Sequence, residues 1–445
     1  MLTKSKAREE FNIEPISSEQ MQGWINECIN IYKGSPSWLD EDDHIDTIDF
    51  AKALCSETAR LATLGIGIKI DGSARADWVQ EQIEKIYFQL RNWVEYGCAY
   101  GTIILKPNGD SVDLYTPDMF EIVHASNGKI DGVIFHNWKQ DGKKWFTRLE
   151  YHRFDNGLYW ITNKCYYGDR PDDTKERIDI KKTPWSYLTE EVAIANLDGP
   201  LFGVLRTPQA NNIDLGSPYG LPIFTEAVQE LRDLDIAYSR NAKEVKDSKR
   251  TVLLDSDRML PYGTTGGLDR TNLPDFIKLV EGDTSTESDV YHEINPTLNT
   301  DVRLTGINAL LSQIGYKVGF SNGYFVFNES HGIQTATQVE SDQQRTIQFI
   351  KDVRDKLESC LDGLIYAINV FADLYKMAPA GAYEVAYDFG DITYNREEDR
   401  VRWWGYVQAG RVPAWLFFVK FEGMTEEEAK AMTAEAQPKT PGLFE

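Results

Sequence analysis

The 445-residue sequence predicts an α+β fold. Three observations carry that expectation. Long stretches near the start and towards the end repeat apolar residues at steps of three and four, as amphipathic helices do. Residues 111–204 instead set short β-prone runs between Asn-Gly and Asp-Gly pairs, as hairpins do. The two kinds of stretch occupy separate segments, which favours segregated helices and antiparallel sheet.

Residues 1–110 read as mostly helical. Ser17 and Gln20 cap a first helix with Met21, Trp24, Ile25, Cys28, Ile29 and Tyr32 on its apolar face, ended by Gly34. A second helix covers about 44–64 and stops at Gly65. A third covers about 75–96, with Trp78, Ile83, Ile86, Leu90 and Trp93, and stops at Gly97. Two β runs follow, GIGIKI at 65–70 and YGTIILK at 100–106. In 111–204 the pairs Asn127-Gly128, Asp131-Gly132, Asp141-Gly142 and Asn156-Gly157 punctuate strands such as VIFHNW, KWFTRLEYHRF and GLYWITNKCYY, whose aromatics suit half-buried sheet positions.

Residues 218–250 return to helix, with Pro218 and Pro222 near its start and Phe224, Ala227, Val228, Leu231, Leu234 and Tyr238 as its stripe. Beyond the stripe come Arg240, Lys243, Lys246, Lys249 and Arg250, against two acids, Glu244 and Asp247. A compact α/β insert spans 251–300, with TVLLD and FIKLVEGD as strands. Leu304, Ile307, Leu311, Ile314 and Val318 mark a short helix up to Gly319. The aromatic, glycine-bracketed loop GFSNGYFVFNESHGIQ then opens into the longest element. Ile347, Ile350, Val353, Leu357, Leu361, Leu364, Ile368, Phe371 and Tyr375 form one continuous stripe, behind a capping box of Thr337 and Glu340 and ahead of Pro379 and Gly381. At ~1.5 Å per residue that helix spans roughly 60 Å, far beyond the usual three or four turns. A strand within VAYDFGDITY, a helix at about 396–408 and a Glu-rich helix at about 425–436 close the chain, and the tail QPKTPGLFE reads as disordered.

Composition narrows the function classes. At 42% hydrophobic and 12% aromatic residues, the chain folds. A net charge of −23 argues against coating nucleic acid through bulk charge, since that affinity comes from basic groups releasing counterions. Five scattered cysteines suggest neither a disulfide framework nor a zinc ribbon, and hence a reducing compartment. The start has no apolar core of a signal peptide, and no apolar run approaches the ~18 residues of a membrane span.

Catalytic patterns are weak. Asp388-Phe389-Gly390 has the spelling of a kinase magnesium motif but lacks the Gly-rich loop, lysine strand and catalytic loop that accompany it, so it reads as a strand end and turn. The histidines at 44, 124, 136, 152, 292 and 331 show no metal-ligand spacing. The acidic cluster at 40–43 reads as a solvated face. The basic run from Arg240 reads as the solvated end of an amphipathic helix or as a C-terminal turn placed to suit the helix dipole, and the loop after Gly319 either as a plain connection or as a functional one.

Five segments, in order, resemble the portal proteins of tailed phages. AKALCSETARLATL at 51–64 resembles that family's N-terminal helix, and WVEYGCAYGTIIL at 93–105 its helix-to-strand step. SPYGLPIFTEAVQELRDLDIAYSRNAKEVKDSKRTVLL resembles the stem helix leading into the clip domain. FVFNESHGIQTATQVES resembles the tunnel loop joined to the long wing helix, and the stretch from YDFGDITY to EEEAKAM resembles the C-terminal block.

The resemblance implies a portal-type fold. Its parts would be an N-terminal wing of helices plus antiparallel sheet (1–217), a first stem helix (218–250), a small α/β clip (251–301) and a second stem helix (302–319). A tunnel loop (320–335), a long wing helix and strand (336–394) and a short helical crown with the tail (395–445) would follow. It implies a non-enzymatic, cofactor-free subunit of a ring, usually of about twelve copies, at one vertex of the virion capsid. Assembled in the host bacterial cytoplasm, the ring would pass double-stranded DNA during packaging and ejection. Its partners would be the terminase large subunit, which would hydrolyse the ATP, the major capsid and scaffolding proteins, and a head-tail adaptor; no membrane is implied. Asn322, Gly323, Tyr324, Ser330, His331 and Gln334 would line the channel in the tunnel loop, which carries no Lys or Arg between Lys317 and Arg345. The stem basics Arg240, Lys243, Lys246, Lys249 and Arg250 would form positive rings. The rival readings are another structural phage head or tail component and, more remotely, a carbohydrate-active enzyme built on the aromatic hairpins.

Overall fold

The computed structural model describes residues 2–14, 16–39, 44–109, 111–126, 128–171, 173–248, 251–255, 277–280, 291–294, 300–327, 336–390, 396–409 and 411–435. It is mixed helix and sheet, and it divides into two units: residues 1–63 with 68–387, and residues 64–67 with 388–445.

In the large unit the order begins with helices α1 (Leu2–Phe11), α2 (Glu19–Tyr32) and α3 (Phe50–Ala62), strand β1 (Gly67–Asp71), and helices α4 (Ala74–Ile86) and α5 (Leu90–Tyr100). The sheet stretch supplies β2 (Thr102–Asn108), β3 (Ser111–Tyr115), β4 (Phe120–Ser126), β5 (Lys129–Asp141), β6 (Lys144–Asp155), β7 (Leu158–Gly168), β8 (Glu176–Ile178), β9 (Glu191–Ala195) and β10 (Gly203–Arg206). Then come α6 (Val228–Asp247), β11 (Thr251–Asp255), β12 (Ile277–Val280), β13 (Tyr291–Ile294), α7 (Thr300–Val318), α8 (Ala336–Leu374) and β14 (Glu384–Asp388). The small unit holds α9 (Arg396–Gln408), α10 (Ala414–Glu422) and α11 (Glu426–Glu435), with rings of Trp404 and Phe417 5.0 Å apart at its centre.

The hairpin meander forms as its turn pairs require. Neighbours run β4-β5-β6-β7-β8, with β9 on the free part of β7, and every pairing is antiparallel. A second antiparallel sheet runs β10-β2-β3. The 39-residue α8 lies across it. Ile350, Val353, Leu357, Leu361, Leu364 and Ile368 are buried there, as the stripe predicts. The approach is close because both surfaces present glycine: a Cβ on Gly363 would stand 3.1 Å from the Gly203 Cα. Two buried arginines tie other helices to α8. Arg354 donates to the carbonyls of Leu61 and Ala62, which satisfies acceptors left open at the end of α3. Arg75 of α4, 2% exposed, donates to Asn369, Asp373, Ala378 and Pro379 around the C-terminus of α8.

Six expectations need correction. Ser18, not Ser17, caps α2 through the Met21 N–H; Ser17 is buried against the Ser217 hydroxyl. The second helix starts at Phe50, because the backbone N–H groups of Asp46 and Ile48 are taken by Ser239 and Asp235 of α6. The third helix breaks at a 3-10 turn, Tyr87–Gln89, where the Tyr87 hydroxyl accepts from the Ile68 N–H of β1. The helix expected from 218 begins at a short turn, Thr225–Ala227. Before it, the proline-containing run is buried and extended, stitched on by Gly220 N–H to Thr102 and Ile223 N–H to Cys98. α8 begins at Ala336, so Thr337 sits inside its first turn. The described part of the insert is all strand. β11 runs parallel to β12 and antiparallel to β13, a strand the sequence pattern did not mark.

Candidate functional site

The candidate site is the α6–α7 pair and the loop that follows it. Lys317 Nζ reaches Glu230 at 2.5 Å and Arg303 pairs with Glu244, so the helices run antiparallel. Leu231 and Leu234 of α6, and Ile307, Leu311 and Ile314 of α7, are buried. The stripe of α6 fades after Leu234, and Arg240, Lys243 and Lys246 are exposed beyond it. None of the three forms an ion pair among the described residues, whereas the nearby Glu244 is neutralised by Arg303. The positive character read from the sequence is therefore concentrated on one free flank of α6. Arg240 and Lys243 line, with His44, Ile45 and Ser239, a recess of about 190 Å³. Lys249 and Arg250 lie outside the described residues.

The loop begins on a backbone only glycine tolerates well. Gly319 has φ +121°, and a Cβ there would stand 2.7 Å from the Phe349 ring. Phe320 is fully buried, with its ring 4.8–5.6 Å from those of Tyr324, Phe325 and Phe349. Phe325 also meets Phe50 of α3 edge-on at 5.4 Å. Ser321 N–H donates to Thr346 at 2.8 Å. The Asn322 side-chain oxygen accepts from the Ser312 hydroxyl, and the Ser312 Oγ in turn accepts from the Gly323 N–H at 3.3 Å. The Tyr324 hydroxyl donates to Glu57 of α3 at 2.5 Å; burial and that carboxylate push its pKa up to about 12. Asn308 brackets the Phe327 backbone, while the Phe327 ring is 58% exposed.

Asn322, Gly323 and Tyr324 thus sit together in an aromatic seat made by α3, α7 and α8. Ser330, His331 and Gln334 lie outside the described residues. The seat itself was not legible, since Phe50 and Glu57 stand far away in sequence. Its one signal was the glycine-bracketed run of aromatics.

The Glu150 carboxylate has both oxygens engaged inside the large sheet. All five cysteines are buried, and burial pushes Cys28 and Cys98 up to about 12, so neither offers a thiolate nucleophile. Asp388 ends β14, and the Gly390 N–H donates to the Leu64 carbonyl, as a strand end and turn would. Among the described residues, no group of three or more His, Cys, Asp or Glu is placed to hold a metal ion. Among the same residues no helix is long and apolar enough to cross a membrane. No protein-family model matches the chain. No curated protein matches it either.

Proposed function

We propose that the chain is the subunit of a portal-type ring that conducts double-stranded DNA into and out of a phage capsid. The observation that carries this reading is the order of parts. An antiparallel helix pair flanks a small three-stranded insert, and its second helix feeds an aromatic-seated loop and then a 39-residue helix. Further support comes from side chains a monomer exposes at some cost: Phe88, Tyr187, Leu215, Val302 and Tyr375 are each more than half exposed in the large unit. Side-by-side association covers such groups, and a closed ring covers them without leaving open ends.

Charge fits the same role. A duplex must slide, so the wall must not hold it. With 70 Asp and Glu against 47 Lys and Arg, the chain as a whole repels phosphate. The free flank of Arg240, Lys243 and Lys246 would repeat around a ring and centre the duplex without gripping it. The ATP hydrolysis that drives packaging would belong to a terminase. Head-tail adaptor, capsid and scaffolding proteins would be the further partners.

Replacing Arg240, Lys243, Lys246, Lys249 and Arg250 together by Gln tests this assignment. Rings should still form, because Arg240, Lys243 and Lys246 form no ion pair among the described residues whose loss would unsettle the fold. DNA packaged per particle should fall about tenfold, as repeated phosphate contacts are lost. Normal packaging by that variant would remove these residues from the channel.

A further inference from the structure

The ends of α2, α3 and α5 enclose a second recess, of about 440 Å³, lined by Tyr32, Lys33, Asp49, Lys52, Glu95, Tyr96 and Tyr100. Its volume falls within the ~300–1,000 Å³ range of ligand pockets. The walls are aromatic. Tyr96 and Tyr100 stack with centroids 6.1 Å apart, and Tyr32 stands edge-on to both, at 6.4 and 5.6 Å. Glu95 is set within this cluster: its Oε1 accepts from the Tyr32 hydroxyl at 2.8 Å, and among the described residues no hydrogen bond engages its other oxygen.

Asp49 is the second acid, and its conformation is unusual. It occupies the N-cap of α3, where an aspartate ordinarily accepts a hydrogen bond from the helix backbone. Here its side chain makes no such bond, and its backbone is left-handed, at φ +55°. Room for the carboxylate comes from Gly34, where a Cβ would stand 2.5 Å from Asp49 Oδ1. Strain of this kind persists only where surrounding structure enforces it, and it concentrates at binding sites. Lys33 and Lys52 are exposed and form no ion pair among the described residues.

We propose that this recess binds an arginine side chain presented by a partner peptide segment in which acidic residues flank the arginine. The guanidinium is planar and carries five donors. It stacks on tyrosine faces while its fork reaches the open oxygens of Glu95 and Asp49. Lysine lacks both the plane and the fork. The flanking carboxylates meet Lys33 and Lys52, which accounts for two cations beside a cation site. The inference goes beyond the ring reading and does not depend on it.

The test is calorimetric titration of the full chain with three blocked tripeptides: acetyl-Asp-Arg-Glu-amide, its Lys analogue and its citrulline analogue, which keeps the shape and loses the charge. The arginine peptide should bind at least about tenfold more tightly than either analogue, a gap of ~1.4 kcal/mol. Glu95→Gln, which can still accept from Tyr32, should remove about tenfold of that affinity, and Tyr96→Leu a similar amount. Lys52→Gln should weaken the arginine peptide while leaving acetyl-Ala-Arg-Ala-amide unchanged. Thermal melts identify any variant that fails to fold, and Glu95→Gln, nearly isosteric, carries the conclusion if Tyr96→Leu does. Equal binding of the arginine and citrulline peptides, no binding at millimolar peptide, or tighter binding of deoxyadenosine 5′-monophosphate than of the arginine peptide would each overturn the proposal. None of these results would touch the ring reading, which is measured by assembly.

Discussion

Glu150→Gln is expected to destabilise the chain by about 3–5 kcal/mol, read as a lowered urea midpoint with an unchanged slope. Glu150 is the hub of a buried charged cluster between the six-stranded sheet and strand β2 of the β10-β2-β3 sheet. Its Oε2 accepts from Lys106 Nζ of β2 at 2.5 Å, from Arg148 at 2.8 Å and from Asn137 at 3.3 Å. Its Oε1 faces His152 Nε2 at 3.0 Å, and His152 Nδ1 lies 2.8 Å from the Tyr159 hydroxyl. Lys106, Arg148, Glu150 and His152 are all buried. Burial alone would raise the Glu150 carboxyl, but the Arg148 and Lys106 cations outweigh it and hold the group well below the ordinary carboxylate value. Gln keeps the shape and removes the charge, leaving two buried cations uncompensated.

A carboxyl depressed in the folded state contributes stability that is present above its unfolded value, ~4.3, and is lost as pH falls through the folded one. The natural chain should lose this contribution on acidification, and Glu150→Gln should lack that part of the acid sensitivity. The double change Glu150→Gln with Lys106→Met should recover part of the loss, since it removes one stranded cation. A double variant no more stable than the single one would show that the cluster's worth lies elsewhere.

Gly203→Ala should cost about 3 kcal/mol or more. A Cβ on Gly203 would stand 2.1 Å from the Cys360 carbonyl oxygen and 3.0 Å from the Leu364 nitrogen. Both are main-chain atoms inside α8, so no side chain can swing aside. Either the helix lifts off the β10-β2-β3 sheet or strand β10 shifts its register against β2. Gly23→Ala, in the exposed face of α2 with nothing within 4 Å of the new methyl, serves as the opposite case. It should stabilise by about 0.5–1 kcal/mol, as glycine gives way to a better helix former. Equal unfolding midpoints for the two variants would contradict the close packing of α8 on the sheet.

These residues show where sequence reading succeeds and where it stops. The helix at 396–408 and the run of hairpins were legible because local periodicity and turn chemistry decide them. The start of α6 was not, because burial of Tyr219, Leu221 and Ile223 against distant segments overrides the helical stripe. Gly203 gave no local sign of its role, since its constraint comes from a helix more than 150 residues away. The exposed basics of α6 were legible as charge, but the cancellation of Glu244 by Arg303 required the fold. The tyrosine-lined recess was missed for a related reason. Tyr32 reads as one more apolar position in a helical stripe, and only the convergence of three helix ends turns it towards Tyr96, Tyr100 and Glu95.

In the proposed assembly, copies of this chain close side by side around a pore that a duplex can traverse. Electron-microscopic class averages of the purified protein, viewed down the symmetry axis, would separate a closed ring from any other arrangement. That assembly should appear as rings with a central hole wide enough for double-stranded DNA, with the loop after Gly319 directed to that hole. A species that stays monomeric at every concentration and within assembled particles, or rings that carry this loop on their outer rim, would contradict it.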